Sequence, residues 1–192
     1  MTKKIYKLNK GFTLLETLVS ISIFSLSVLA MITVLSKGIA STNYTKRKII
    51  ATYLAQEGIE YVRNMRDTFV LYDPVGSSAG WSNFRAKLPA QCESADGCYF
   101  DADSLNYGDN LQPMTDITIT ACGATCLELK YDSTTGKYNY LSGVNSGYSR
   151  KINITSIGAP VNEIKVSSTV SWAQGSTRTI TFSENLYNWI EQ

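Results

Sequence analysis

The amino-acid sequence predicts an α+β fold in which a long N-terminal helix packs by its outer half on an antiparallel β-sheet head. Three observations lead there. An unbroken apolar stretch runs from Phe12 to Leu35 with Glu16 as its only charge. Helical spacing of apolar residues then continues to about Arg66, and no proline occurs before Pro74. From Thr115 onward, short runs of alternating apolar and polar residues are separated by turn sequences. Turns of that length cannot cross over to a parallel neighbour, so the strands are expected to pair antiparallel.

The first element is a basic leader, residues 1–11, with Lys3, Lys4, Lys7 and Lys10 and no acid. The second is the apolar helix of residues 12–35, whose 24 residues suffice to cross a hydrocarbon layer of ~30 Å at ~1.5 Å per residue. Lysines ahead of a span keep that end cytoplasmic, which places the C-terminal bulk outside. A secretory signal has a shorter apolar region followed by a small-residue cleavage site. Here the small residue, Gly11, precedes the apolar run, so a cut there leaves the span attached.

Glu16 needs a cause, because an unpaired carboxylate in a lipid-facing helix costs a few kcal/mol. A cut between Gly11 and Phe12 would create an α-amine one helical turn away, and that amine, on the same chain or a neighbour, is the expected partner. Thr13, Thr17, Ser20 and Ser27 fall along one helix face. They either let another helix approach closely or bond back to their own carbonyls. The span contains no proline.

The run Lys10-Gly11-Phe12-Thr13-Leu14-Leu15-Glu16 resembles the processing site of type IV pilins and pseudopilins. The resemblance implies cleavage after Gly11 by a prepilin peptidase/methyltransferase, N-methylation of Phe12, and pairing of Glu16 with the Phe12 amine of an adjacent subunit. The partners it implies are other pilin subunits, an inner-membrane assembly platform and membrane lipid. The precursor would be a single-pass inner-membrane protein with its head outside the cytoplasm, delivered to a cell-surface or periplasmic filament. A plain signal anchor with Glu16 near its cytoplasmic end is the alternative.

The third element, residues 36–66, continues the helix as an amphipathic half. Ile39, Ile50, Leu54, Tyr61 and Met65 form a stripe with Ile49, Tyr53 and Val62 beside it, while Lys46, Arg47, Lys48, Glu57 and Arg63 lie off it. From Phe12 to Arg66 such a helix would reach ~80 Å. Glu57 and Glu60 with Arg63 read as a solvated face. The run from Ala51 to Asp67 resembles the corresponding helix of minor pilins of the pilus-modification type.

The head is expected over residues 67–192. Pro74, Gly76, Ser77, Ser78 and Gly80 mark a loop, and Trp81 to Phe84 a short helix or turn. Four cysteines permit three pairings; Cys92–Cys98 with Cys122–Cys126 is favoured, since each closes a short turn containing glycine, with a four-thiolate zinc site as the alternative. Asp96, Asp101, Asp103, Asp109 and Asp116 lack the spacing of a calcium loop and read as an exposed, disulfide-pinned segment, with calcium ligation by the clustered carboxylates as the alternative. Strands follow around Ile117, Ile119 and Ala121; around Leu127, Leu129 and Tyr131; at Tyr138 and Tyr140; and at Ile152 and Ile154. Ile164, Val166, Ser168, Val170 and Trp172 share one face, and a Gln174-Gly175-Ser176 turn leads to Ile180 and Phe182. Leu186, Trp189 and Ile190 are expected to pack on the sheet.

Charge and composition narrow the function. Residues 1–11 carry +4, residues 12–66 six basic against three acidic groups, and residues 67–192 eight against thirteen, or −5. Nucleic acid is not an expected partner of so acidic a head. The absence of histidine removes His-based triads and His-ligated zinc. With no glycine-rich phosphate loop and no catalytic serine or cysteine motif, neither an enzyme nor a cofactor is expected. The expected function is a structural subunit, a minor pilin or pseudopilin of a pilus, secretion or DNA-uptake filament. The alternative is a membrane-anchored binding module or adhesin, for which the twelve tyrosines could line a surface as readily as a core.

Overall fold

The computed structural model describes residues 11–73, 77–100, 119–123 and 125–189. The chain divides into two compact units, Met1–Lys46 and Arg47–Gln192. One helix, α1 (Leu14–Tyr72), contributes to both.

In the first unit every described residue is exposed. By length and composition this helix can cross a membrane. Its backbone groups bond within the helix, which is the condition for standing in lipid without a protein core. The hydroxyls turn inward as well. Thr17 donates to the Leu14 carbonyl at 2.9 Å, Ser20 to Glu16 at 2.7 Å, Ser22 to Leu18 at 2.9 Å and Ser27 to Ile23 at 2.8 Å. Of the face named in the sequence, Thr17, Ser20 and Ser27 bond back to their own helix. Gly38 interrupts nothing, and a Cβ there would meet no atom within 4 Å.

The second unit takes the rest of α1 and adds α2 (Ser77–Lys87), a 3₁₀ turn (Ala90–Glu93) and the strands β1 (Cys98–Tyr99), β2 (Thr120–Ala121), β3 (Glu128–Asp132), β4 (Lys137–Asn139), β5 (Val144–Ile157), β6 (Glu163–Gln174) and β7 (Ser176–Tyr187). All pairings are antiparallel. β5 is central: β6 lies along one edge with β7 beyond it, while β3 and β1 share the other edge, backed by β4 and β2. Tyr148, Arg150, Ile152 and Ile154 of β5 face α1, as do Ile164, Val166, Ser168, Val170 and Trp172 of β6.

Several elements differ from the sequence expectation. α1 runs past Arg66 to Tyr72, because Phe69 and Val70 prolong the stripe and are buried. The expected loop around Gly80 is helical: α2 lies so close to α1 that a Cβ at Gly80 would come within 2.6 Å of the Phe69 carbonyl oxygen. β5 begins eight residues before Ile152, at Val144. The β3–β5 register shifts after Leu129, leaving Ser146 and Gly147 as a bulge; Gly147 has φ +81°, a conformation that suits glycine. Beyond that bulge Tyr131 is partly exposed, and Leu127, just outside the strand, is exposed. Tyr53 and Ile49 face away from the core. Trp189, expected on the sheet, is 53% exposed, whereas Leu186 is buried; Ile190 lies outside the described residues. So do Ile117 and the aspartates of 101–116.

The core has two apolar clusters. One joins Ile59, Val62, Met65 and Phe69 of α1 with Trp81 and Phe84 of α2 and with Ile152, Ile154, Ile164 and Val166 of the sheet. The other joins Ala51, Leu54 and Ala55 with Leu129, Tyr148, Val170 and Trp172. Between them in chain order on each element sit Gly58, Arg150 and Ser168, a polar layer inside the core.

Candidate functional site

At the start of α1, Gly11, Phe12 and Thr13 precede the first helical turn. Thr13 closes the helix end: its carbonyl accepts from the Glu16 backbone N–H at 3.1 Å and its Oγ1 from the same group at 3.3 Å. Thr13 and Glu16 thus stand at the N-cap and third helical positions of a Thr-x-x-Glu sequence, a pattern that starts helices and that sequence reading passed over. The Glu16 carboxylate forms no ion pair among the described residues. A Cβ on Gly11 would meet nothing within 4 Å, so the fold itself places no demand on glycine there. Phe12 is 73% exposed, and the large apolar residues after it are open as far as Leu35. The site therefore presents an accessible peptide bond, a carboxylate on the first turn, and a helix whose apolar surface this chain leaves uncovered.

Inside the head, the functional-looking charges are ties between helix and sheet. Arg150 is 1% exposed. Its Nη1 donates to Glu57 at 2.6 Å and to the Leu54 carbonyl at 3.2 Å, and its Nη2 donates to the Phe100 carbonyl at 3.3 Å. The guanidinium carbon lies 4.1 Å from the centre of the Phe100 ring, which stacks on Tyr61 at 3.6 Å. Glu57 is thus engaged with the sheet rather than with Arg63. Arg63 bonds Glu60 and Glu184, and its hydrogen bond to the Glu184 carboxylate holds its pKa above the ordinary arginine value. The one signal for Arg150 in sequence is its place in the alternation Tyr148, Arg150, Ile152, Ile154, which puts a cation on the apolar face.

Cys92 is bonded to Cys98 and Cys122 to Cys126, the favoured pairing. The thiols are therefore not a zinc set. Among the described residues no three carboxylates or thiols converge on a metal site. Tyr131, Tyr138, Tyr148 and Trp172 run in a ladder from the surface into the core, with Tyr131 exposed, Tyr148 and Trp172 buried, and ring centres 5.1, 6.1 and 6.4 Å apart. Burial pushes the Tyr138 and Tyr148 phenols up.

Comparison with known proteins bears on the N-terminal site. Residues 6–32 match the family model of the prokaryotic N-terminal methylation motif, the type IV pilin signal. No curated protein and no solved structure matches the chain. The motif supports a type IV pilin-like precursor, and its long apolar helix fits membrane anchoring.

Proposed function

We propose that this chain is a structural subunit, a minor pilin or pseudopilin, of a type IV pilus or a related secretion or DNA-uptake filament. The observation that carries the proposal is the methylation motif at residues 6–32, lying on a helix whose apolar side chains are exposed. Residues 1–11 act as the leader, 12–35 as the membrane and filament-core helix, 36–66 as its amphipathic continuation and 67–192 as the head. A prepilin peptidase cuts after Gly11 and the new Phe12 amine is methylated. Glu16 then pairs with the Phe12 amine of a neighbour, and the exposed helix face finds its cover in other subunits. The chain contributes a shape and a charge pair, and the chemistry is done to it by the peptidase.

The test is a substitution of Gly11 by a bulky residue, followed by electrophoresis of the chain from cells that carry the filament system. A Cβ at Gly11 meets nothing within 4 Å, so no clash at that atom stands in the way of folding. The precursor should accumulate as a slower-migrating band. Normal maturation would overturn the proposal.

A further inference from the structure

β7 is a twelve-residue edge strand, and among the described residues it pairs only with β6. Edge strands are ordinarily kept apart by prolines, inward lysines, bulges or shortness. β7 has no proline or lysine, and its pairing with β6 runs without a register shift from Ser176 to Tyr187. Its side chains fall into two rows. Thr177, Thr179, Thr181, Ser183 and Asn185 are exposed on one face, while Ile180, Phe182 and Glu184 are partly buried on the α1 side, with Arg178 at the open end of that row.

The strand is also self-complementary. When two copies of one strand pair antiparallel, side-chain rows stay on their faces only if the two opposed residue numbers have an even sum. Centred on Thr181, the pairing sets Arg178 opposite Glu184, Ile180 opposite Phe182, Thr179 opposite Ser183 and Thr181 opposite itself. Shifting the centre to Ile180 sets Arg178 against Phe182, and shifting it to Phe182 sets Ile180 against Glu184. Of the three, only the Thr181-centred register joins Arg178 with Glu184 and Ile180 with Phe182, pairings of the kinds that stabilise a sheet, while the buried Leu186 falls opposite Ser176.

We propose that β7 is a docking edge for a second copy of this chain, forming a two-fold continuous sheet centred on Thr181. Such an interface is isologous, so each copy contributes Arg178 to the other's Glu184, a carboxylate that also accepts from Arg63 of its own chain. Its two-fold axis stands normal to the sheet. The residues 47–72 of α1 that lie on the sheet then run in opposite directions in the two copies, the relation of heads meeting from opposed surfaces rather than of neighbours in one row. This inference stands on β7 alone and does not depend on maturation at Gly11.

The test is disulfide trapping in the full chain in detergent, where the native cysteines are already bonded and an introduced one is the sole thiol. Residues directly opposite in antiparallel strands have Cα atoms ~4.5–5.5 Å apart, within disulfide reach. Thr181→Cys should therefore give a dimer on non-reducing electrophoresis. Thr177→Cys, whose own copy in the partner lies ~27 Å away at ~3.4 Å per residue, should give roughly a tenth of that yield or less. Thr177→Cys with Asn185→Cys should restore the dimer. Arg178→Glu should lower the Thr181→Cys yield several-fold, with the unfolding midpoint confirming that the head is intact. A monomeric Thr181→Cys chain, or equal trapping at Thr177 and Thr181, would overturn the proposal.

Discussion

Gly58→Ala tests the polar layer of the core, because here the structure sets two effects of one methyl group against each other. Alanine gains ~1 kcal/mol over glycine in a helix interior. At Gly58, however, the added Cβ would stand 2.2 Å from the Ser168 Oγ, 3.0 Å from its Cβ and 3.5 Å from the Arg150 Cδ. Ser168 is 0% exposed and lies on β6 between Val166 and Val170, so it has little room to retreat. Overpacking of this kind costs ~1–3 kcal/mol, and an overlap this deep belongs at the upper end. The net expectation is a loss of ~2 kcal/mol, or a fall of ~6 °C in Tm at ~3 °C per kcal/mol for a chain of this size. The assay is thermal unfolding of the purified chain by circular dichroism, with Ser168→Ala as the second mutation of a cycle. The Ser168 hydroxyl is buried without a hydrogen-bond partner, so its removal alone should be neutral or slightly stabilising. In that background Gly58→Ala keeps only the Cβ contact at 3.0 Å and the ordinary Arg150 Cδ contact at 3.5 Å, and most of its cost should vanish. Gly38→Ala, with nothing near its Cβ, is the control and should not lower the midpoint. A Gly58→Ala chain as stable as its parent, or a cost unchanged by Ser168→Ala, would refute the packing described here.

Two further outcomes follow from the charges. Glu57→Ala leaves the Arg150 guanidinium buried without its carboxylate, and should cost ~2–3 kcal/mol, discounted for the partial exposure of Glu57, whereas Arg150→Met should cost less because Glu57 can rehydrate; urea midpoints that rank the two the other way would contradict the asymmetry. Asp132 accepts a hydrogen bond from the Thr134 N–H at 2.8 Å, the main cause holding its carboxyl below the ordinary range. Its folded pKa is depressed, so its contribution is present above the unfolded value of ~3.9 and is lost as pH falls through the folded one. Asp132→Asn should therefore flatten the acid limb of a stability–pH curve below the unfolded value, and an unaltered limb would remove Asp132 from the β3–β4 turn's account.

How much of this was legible in sequence depended on whether a residue's neighbours were local. The face Ile164, Val166, Ser168, Val170, Trp172 was readable because alternation alone puts those residues together, and all five are buried. The disulfides were readable because each closes within a few residues. α2 was readable only at Trp81 to Phe84, expected as a short helix or turn, since its Ser-Ser-Ala-Gly start looks like a loop, and Gly80 is there to admit the α1 backbone, a contact between segments ten residues apart. The extra turn of α1 was hidden by Asp67, which ties to Arg66 and so sits at the helix surface without ending it. Arg150 was missed for the same kind of reason. An arginine in a strand reads as outward unless its acid is known, and its acid, Glu57, lies 93 residues earlier on the helix.

The same distinction bears on Glu16. Within this chain its place is accounted for locally: Thr13 caps the helix, and a carboxylate on the first turn gains ~0.3–1 kcal/mol from the helix dipole. Carrying that carboxylate into lipid costs ~2.5–3.5 kcal/mol on insertion scales, so capping offsets only part of the cost and a cation must supply the remainder. Before processing, the nearest cation in sequence is Lys10, on the far side of the Gly11–Phe12 bond. A cut at that bond removes Lys10 together with the leader and exposes the Phe12 amine in the same step. On the proposed reading, the subunit thus loses its own counter-charge when it gains one that a neighbour's Glu16 can use, and the imbalance favours assembly over a lone helix. Glu16→Ala removes the cost and the attraction together, so it should leave cleavage after Gly11 intact while reducing recovery of the mature chain in sheared filaments. Recovery equal to the parent's would mean that the helix assembles on its apolar surface alone.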